Sequence, residues 1–295
     1  MRAPTERRRF RGQIFARVLY RLRACLVCTG AVLFLPGAAA QNAAIPHLSE
    51  LGLGWLEIGD DLLPPPSGPG PVISDPARPY HSNISGLPPT YRVADLSNPI
   101  LQPWVVERLR KTNELVLSGK VPFQAHERCW PTGVPGFEVF SLIRPIYFLQ
   151  GPKEVIIINE GDFQVRHVYL NVPHSKNPKL SWYGESVGHY ENGDTLVVDT
   201  IGMNDKSFVD NYLTPHTTQL HVVERFKIID GGKTLQVLMN VEDPGAFKMP
   251  WSAMQVYHLQ HRGNGDWDED ICAENNDNYF NYQVAPMPQA IPPDF

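Results

Sequence analysis

The sequence predicts a mainly β protein: an antiparallel up-and-down meander of about eight strands closing into a barrel, preceded by a proline-rich extension that carries one helix. Three observations predict it. From Phe137 onward, apolar and polar residues alternate in run after run, and no helical run separates them as a parallel α/β sheet would require. Short glycine-bearing turns punctuate the runs at Asn159-Glu-Gly-Asp162, Glu191-Asn-Gly-Asp194, Asp230-Gly-Gly-Lys233 and Gly263-Asn-Gly-Asp266. About eight consecutive antiparallel strands close to remove their exposed edges, and a barrel of that size has room for one small ligand. An open sheet or a β-sandwich is the structural alternative.

Residues 1–40 read as a secretory signal peptide. Arginines at 2, 7, 8, 9, 11, 17, 21 and 23 precede an apolar run from Ala24 to Leu35, and Ala38-Ala39-Ala40 suits a signal peptidase. The run is shorter than the ~20 residues that cross a bilayer. Residues 41–125 form the extension, whose prolines, as in Leu63-Pro-Pro-Pro-Ser-Gly-Pro-Gly-Pro71, forbid regular ladders and favour an extended wrap. A helix is expected near 103–118, with Pro103 in its first turn, Val105, Leu109 and Val116 among its apolar positions and Gly119 as its stop.

Residues 126–275 form the barrel domain and 276–295 a C-terminal tail. Strands are expected near 138–148, 153–159, 163–171, 185–191, 194–200, 219–229, 233–243 and 253–262, with a short piece at 267–272. Longer loops lie at 172–184, 201–218 and 244–252. In a pure meander the tight turns crowd one end and the long loops the other.

Removing the leader takes eight of 26 basic residues and one of 31 acidic ones, leaving a mature chain near −12 with neutral histidines. Such a chain is repelled by phosphate backbones and anionic lipid, which disfavours nucleic acid and membrane surfaces as partners. Cys25 and Cys28 leave with the leader, so Cys129 and Cys272 remain as a disulfide candidate in an oxidising compartment, with two buried thiols as the alternative.

Strand alternation puts Glu224 on the apolar face of its strand with Leu220, Val222, Phe226 and Ile228, and extends the inner face of the next strand to Asp243. A carboxylate directed into an apolar interior is paired, hydrogen-bonded or raised in pKa, the condition of a general acid or base. Arg166, on the face of Val168 and Leu170, is the candidate partner for a structural ion pair. The loops add His174, Trp182, Asn204, His216 and Trp251, and two loop histidines at one rim would supply an acid/base pair near neutral pH. No metal site or cofactor is implied: His221 and Glu224 lie on opposite strand faces, as do His258 and His261, and no HExxH or CxxC spacing occurs. Gly184-Glu-Ser-Val-Gly188 matches the string of a nucleophile elbow, but a β meander lacks the strand-to-helix turn that motif needs.

The strings Arg166-His-Val-Tyr-Leu-Asn171, Gly184-Glu-Ser-Val-Gly-His-Tyr-Glu-Asn-Gly-Asp-Thr-Leu-Val-Val-Asp-Thr200, Leu220-His-Val-Val-Glu-Arg-Phe226 and Asp243-Pro resemble those of a large family of exported bacterial proteins of unassigned function. The resemblance covers most of 126–275 and implies no particular chemistry. The barrel is also similar at fold level to calycins, the lipocalin-type carriers. The expectation is an exported, periplasmic barrel that takes a small, partly apolar molecule. Glu224, His216, His174 and Asp243 would act on it by metal-free acid/base chemistry of lyase, isomerase or hydrolase type, and Arg166, Trp182, Trp251 and Asn204 would bind it. A non-catalytic carrier and a structural component of the cell envelope are the alternatives.

Overall fold

The computed structural model describes residues 45–49, 54–59, 61–82, 85–120, 122–123, 129–139, 144–161, 164–260 and 272. The leader, the expected turn 263–266 and the tail 276–295 lie outside them, and so does the expected strand piece 267–272 except for Cys272. The strands are β1 (Trp55–Glu57), β2 (Ile146–Gln150), β3 (Glu154–Asn159), β4 (Gln164–Leu170), β5 (Glu185–Glu191), β6 (Thr195–Ile201), β7 (His221–Ile229), β8 (Thr234–Glu242) and β9 (Trp251–Leu259). They form one closed barrel in sequence order, sealed where Trp55–Glu57 pair with Tyr257–Leu259. Inward residues alternate as the pattern requires: Val155 and Ile157, Arg166 and Val168, Val222, Glu224 and Phe226, and Leu235, Val237, Met239 and Val241 are all buried. No helix among the described residues is long and apolar enough to cross a membrane.

Three features depart from a pure meander. The closing strand, β1, comes from the proline-rich segment, where Gly54-Trp-Leu-Glu57 offers too short a run for alternation to reveal. The expected strand 138–148 begins only at Ile146; Gly136–Glu138 is instead a buried 3-10 turn. Most consequentially, β4 and β5 are parallel, with Val168, Tyr169 and Leu170 beside Ser186, Val187 and Gly188.

The parallel pair redistributes the connections. Loop 171–184 must carry the chain back along the barrel before β5 can start, and Ser181 is bridged to Met203 beside the start of β5. The connection from β3 to β4 therefore shares an end with loops 202–220 and 243–250, whereas 151–153, 192–194 and 230–233 occupy the other. The expected gathering of every tight turn at one end is corrected to that extent. Gly188 permits the close approach, because a Cβ there would fall 2.8 Å from a Val168 methyl and 2.9 Å from the Val197 carbonyl oxygen.

Each end of the barrel is occupied by chain. At the hairpin end, Leu48 is buried and its carbonyl accepts from the Trp55 indole at 2.8 Å. At the loop end, the 3-10 turn enters the barrel: Asn159 Nδ2 donates to the Phe137 carbonyl at 3.0 Å, and Tyr257 Oη donates to that of Glu138 at 2.9 Å. Phe148 and Phe226 meet edge to face between the two ends.

The helix α1 (Pro103–Leu117) matches its expected span. Pro103 suits a first-turn position with no bonded N–H, and Gly119, at φ +75°, ends the helix with the Lys120 N–H on the Leu115 carbonyl and its own N–H on that of Val116. Val105, Leu109 and Val116 face the core, and Trp104 Nε1 donates to the Gly245 carbonyl at 2.7 Å, seating the helix against loop 243–250. Cys129 and Cys272 stand at disulfide distance with Cα atoms 5.6 Å apart, within the usual range.

Buried Asn113 anchors α1 to the wrap through two bonds to Ala94, accepting from its N–H at 2.8 Å and donating to its carbonyl at 2.9 Å. Asn113→Ala strands both backbone groups, so a loss of about 2–4 kcal/mol is expected from urea unfolding. Asn113→Asp keeps the acceptor but sets a carboxylate against the Ala94 carbonyl, so it should lose at least as much at pH 7 and recover part of that in acid, where the carboxyl regains a donor.

Candidate functional site

Arg166 sits at the barrel centre, fully buried, and its five N–H groups all find acceptors. Nε donates to Ser186 Oγ at 3.2 Å, Nη1 to Glu138 Oε1 at 3.0 Å and Glu224 Oε1 at 2.9 Å, and Nη2 to Thr200 Oγ1 at 2.7 Å and to Glu224 Oε2. Two carboxyl groups thus face one guanidinium away from water. Burial, followed by the charge of Glu224, pushes Glu138 well above the usual carboxylate range, which favours its protonated form. The trio is then neutral, with Glu224 paired bidentately to Arg166. Of the two readings the sequence allows for Glu224, the geometry matches the structural ion pair.

The other candidates separate. His174 lies on the outer wall, its Nδ1 3.0 Å from Glu185 Oε1 and its Nε2 3.1 Å from Asp199 Oδ1, and His221 Nε2 approaches the same Asp199 oxygen at 2.9 Å. Asp199 and Glu224 project to opposite faces of the barrel wall, so Glu224 and His174 do not share a site and the expected four-residue constellation does not form. Trp251 is buried in the core against Phe247, and Asn204 caps the loop turn by accepting from the Lys206 N–H at 3.0 Å. Among the described residues no group of three or more histidines, cysteines or acids is placed to hold a metal ion.

His216 occupies a different setting. A cavity of about 560 Å³ opens between α1 and loop 202–220, outside the plugged barrel mouth. Its walls are Trp104, Glu107, Arg108 and Lys111 from the helix, Phe123 and Trp130 from the following segment, and Asp205–Phe208 and Pro215–Thr217 from the loop. Trp130 stands between Phe123 and Trp182, at centroid distances of 5.7 and 5.5 Å, so Trp182 backs the aromatic wall from behind.

The loop builds its side of the pocket as a small hairpin. Phe208 bridges Pro215, the Val209 N–H donates to the Thr214 carbonyl, and Asp210 Oδ1 accepts from the N–H groups of Tyr212 and Thr214. Burial raises Asp210 to about 6. The next pair beyond Phe208 and Pro215 is Ser207 and His216, whose Oγ and Nε2 are 2.9 Å apart. His216 Nδ1 donates to the Thr217 carbonyl at 2.9 Å. Asp243 grips Thr217 by its N–H and by its hydroxyl at 2.7 Å. Burial holds His216 below the ordinary histidine value, against smaller opposing pulls from the Thr217 carbonyl and the charges of Asp243 and Asp205.

Sequence reasoning missed Ser207, Glu138, Tyr257 and the helix side of the pocket. Ser207 lies in an irregular loop where periodicity is silent, and Glu138 falls at the start of the expected strand 138–148. The charged face of α1 was legible, since Glu107, Arg108 and Lys111 alternate with its buried positions, but nothing in the sequence says what that face borders. No protein-family model and no characterised protein matches the chain.

The neutral trio sets a testable asymmetry. Glu138→Gln mimics the protonated acid and should change stability by no more than about 1 kcal/mol at about pH 4, where the unfolded chain also keeps that proton, whereas Glu224→Gln removes the bidentate partner of the buried guanidinium and should cost about 3–5 kcal/mol in urea unfolding. Because folded Glu138 keeps a proton that the unfolded chain releases above about pH 4.5, its contribution to stability falls as pH rises. Wild type should therefore lose stability relative to Glu138→Gln between pH 5 and 8; a constant difference would refute the assigned protonation.

Proposed function

We propose that the protein is exported and that it binds a small, partly aromatic, anionic molecule in the pocket between α1 and loop 202–220, with His216 as the acid/base group at the pocket wall. The observation that carries the reading is the lining itself. Trp104, Phe123, Trp130 and Phe208 supply aromatic surface, and the cations Arg108, Lys111 and Lys206 outnumber the carboxylates Glu107 and Asp205 around it, a net positive lining in a chain whose overall charge is negative. A volume of about 560 Å³ lies within the range of small-ligand sites. Aromatic faces with a few fixed charges select a flat ligand with an acidic group, since stacking and charge-assisted contacts act on different parts of it.

Carriage inside the barrel, as in a lipocalin, is the weaker reading, because Arg166, Glu138, Phe137 and Tyr257 fill the region behind the loop end. Export is supported by the basic, apolar, small-residue order of the first 40 residues and by the Cys129–Cys272 pair, which suits an oxidising compartment.

Titration with benzoate and larger aryl carboxylates should quench tryptophan fluorescence saturably, through Trp104 and Trp130. Neutral amides of the same rings should bind more weakly, raised salt should reduce affinity, and Arg108→Glu with Lys111→Glu should weaken it at least about tenfold, roughly 1.4 kcal/mol. Absence of saturable quenching across the series would remove the reading. Export has its own check: N-terminal sequencing of the protein from the periplasmic fraction should begin near Gln41, and thiol titration of that material under denaturing conditions should find no free Cys129 or Cys272.

A further inference from the structure

We propose that Ser207 is a nucleophile activated by His216 and that the pocket hydrolyses a small ester bearing an aromatic ring and a negative charge. The inference rests on the reading of that pocket as the ligand site and assigns its chemistry.

The geometry comes from the local hairpin. Pairing of Phe208 with Pro215 brings Ser207 opposite His216 without any contribution from the barrel strands. The Nδ1–H bond to the Thr217 carbonyl fixes the tautomer, leaving the Nε2 lone pair to receive the Ser207 Oγ–H at 2.9 Å. Thr217 cannot drift, because Asp243 holds both its N–H and its hydroxyl, so Asp243 is a positioning residue acting through Thr217. Burial favours the neutral imidazole, the form that accepts a proton. Gly133, at φ +74°, leaves room for the hydroxyl: a Cβ there would fall 2.2 Å from Ser207 Oγ. A buried serine bonded to a buried histidine can be mere satisfaction of two polar groups. Here both residues also line an open cavity, beside three cations, the carboxylates of Glu107 and Asp205, and four aromatic rings.

The reaction balances with water alone. Oγ attacks the ester carbonyl carbon while its proton passes to His216 Nε2; the ester C–O bond breaks and the same proton goes to the leaving alcohol. Water, deprotonated by His216, then attacks the acyl-serine, releasing the carboxylic acid and restoring the Ser207 hydroxyl. No oxidant, reductant or metal is consumed.

The full mature chain should be treated with diisopropyl fluorophosphate, and the adduct located by intact mass and peptide mapping. The expected result is about one equivalent, on Ser207. Labelling should vanish in Ser207→Ala and slow at least about 100-fold in His216→Gln, the scale of a lost general base. The wild-type rate should fall in acid as His216 gains its proton, and stay flat above the ordinary histidine range. Asp205 and Asp243 carry the charges that raise the midpoint of this profile, so Asp243→Asn should move it to lower pH. Circular dichroism shows whether each variant folds, and mapping on the wild type needs no variant. If the aryl carboxylates still quench fluorescence but Ser207 takes no label, or takes it at a rate indifferent to His216, the nucleophile is overturned and the pocket stands. If neither binding nor labelling occurs, both readings fall.

Discussion

The structure depends on one buried guanidinium. Arg166 reaches from β4 across the barrel interior to Ser186 on β5, Thr200 on β6, Glu224 on β7 and Glu138 on the plugging turn. Each of these groups lacks water, and each would be costly to leave unmatched; together they satisfy every donor of the arginine. A trio of this kind is not required for stability as such, since apolar residues of equal volume often serve as well. What it does here is select geometry. Only one register of four strands, and one seating of the 3-10 turn, brings five acceptors to five donors.

The parallel pairing of β4 and β5 belongs to the same constraint. An antiparallel neighbour in that place would reverse β5 and remove Ser186 from its position beside Val168, next to Arg166 on the inner face. Loop 171–184 carries the topological consequence and is tied to the outside of the wall by His174, Ser175 and their contacts with Glu185 and Asp199. Those outer bonds explain His174 better than a role in a ligand site: a loop that must run back along the barrel needs anchors on the wall it crosses.

Much of the barrel is legible from residue alternation, because a strand with one dry face and one wet face writes its period into the sequence. That is why β7 and β8, with Glu224 and Asp243 included, stand where the pattern puts them. The helix is legible for a similar reason, with Pro103 and Gly119 marking its ends. What alternation cannot carry is the direction of a strand, so the parallel β5 was invisible, and with it the true distribution of the loops. A three-residue strand such as β1 has no period to detect. The pocket was half legible: His216 stands out by its chemistry, but Ser207 acquires meaning only through the Phe208–Pro215 bridge, a pairing within a loop that no spacing rule announces.

The position of the pocket follows from how the interior is used. A barrel whose centre is committed to a guanidinium with all five donors engaged leaves little there to move a proton: within the cluster Glu138 Oε2 has no partner, and Glu138 does not line the pocket. A group that exchanges protons with a substrate needs one side fixed and the other open. His216 comes nearest that condition, fixed through Nδ1 and Thr217 while its Nε2 meets Ser207 Oγ, and both residues, though buried, line the cavity. The rim is also where α1, anchored by Asn113 and Trp104, brings its own charges within reach of the loop. Rigidity therefore belongs to the barrel and reactivity to the hairpin it supports, and Asp243, at the end of β8, is the residue that passes the first to the second.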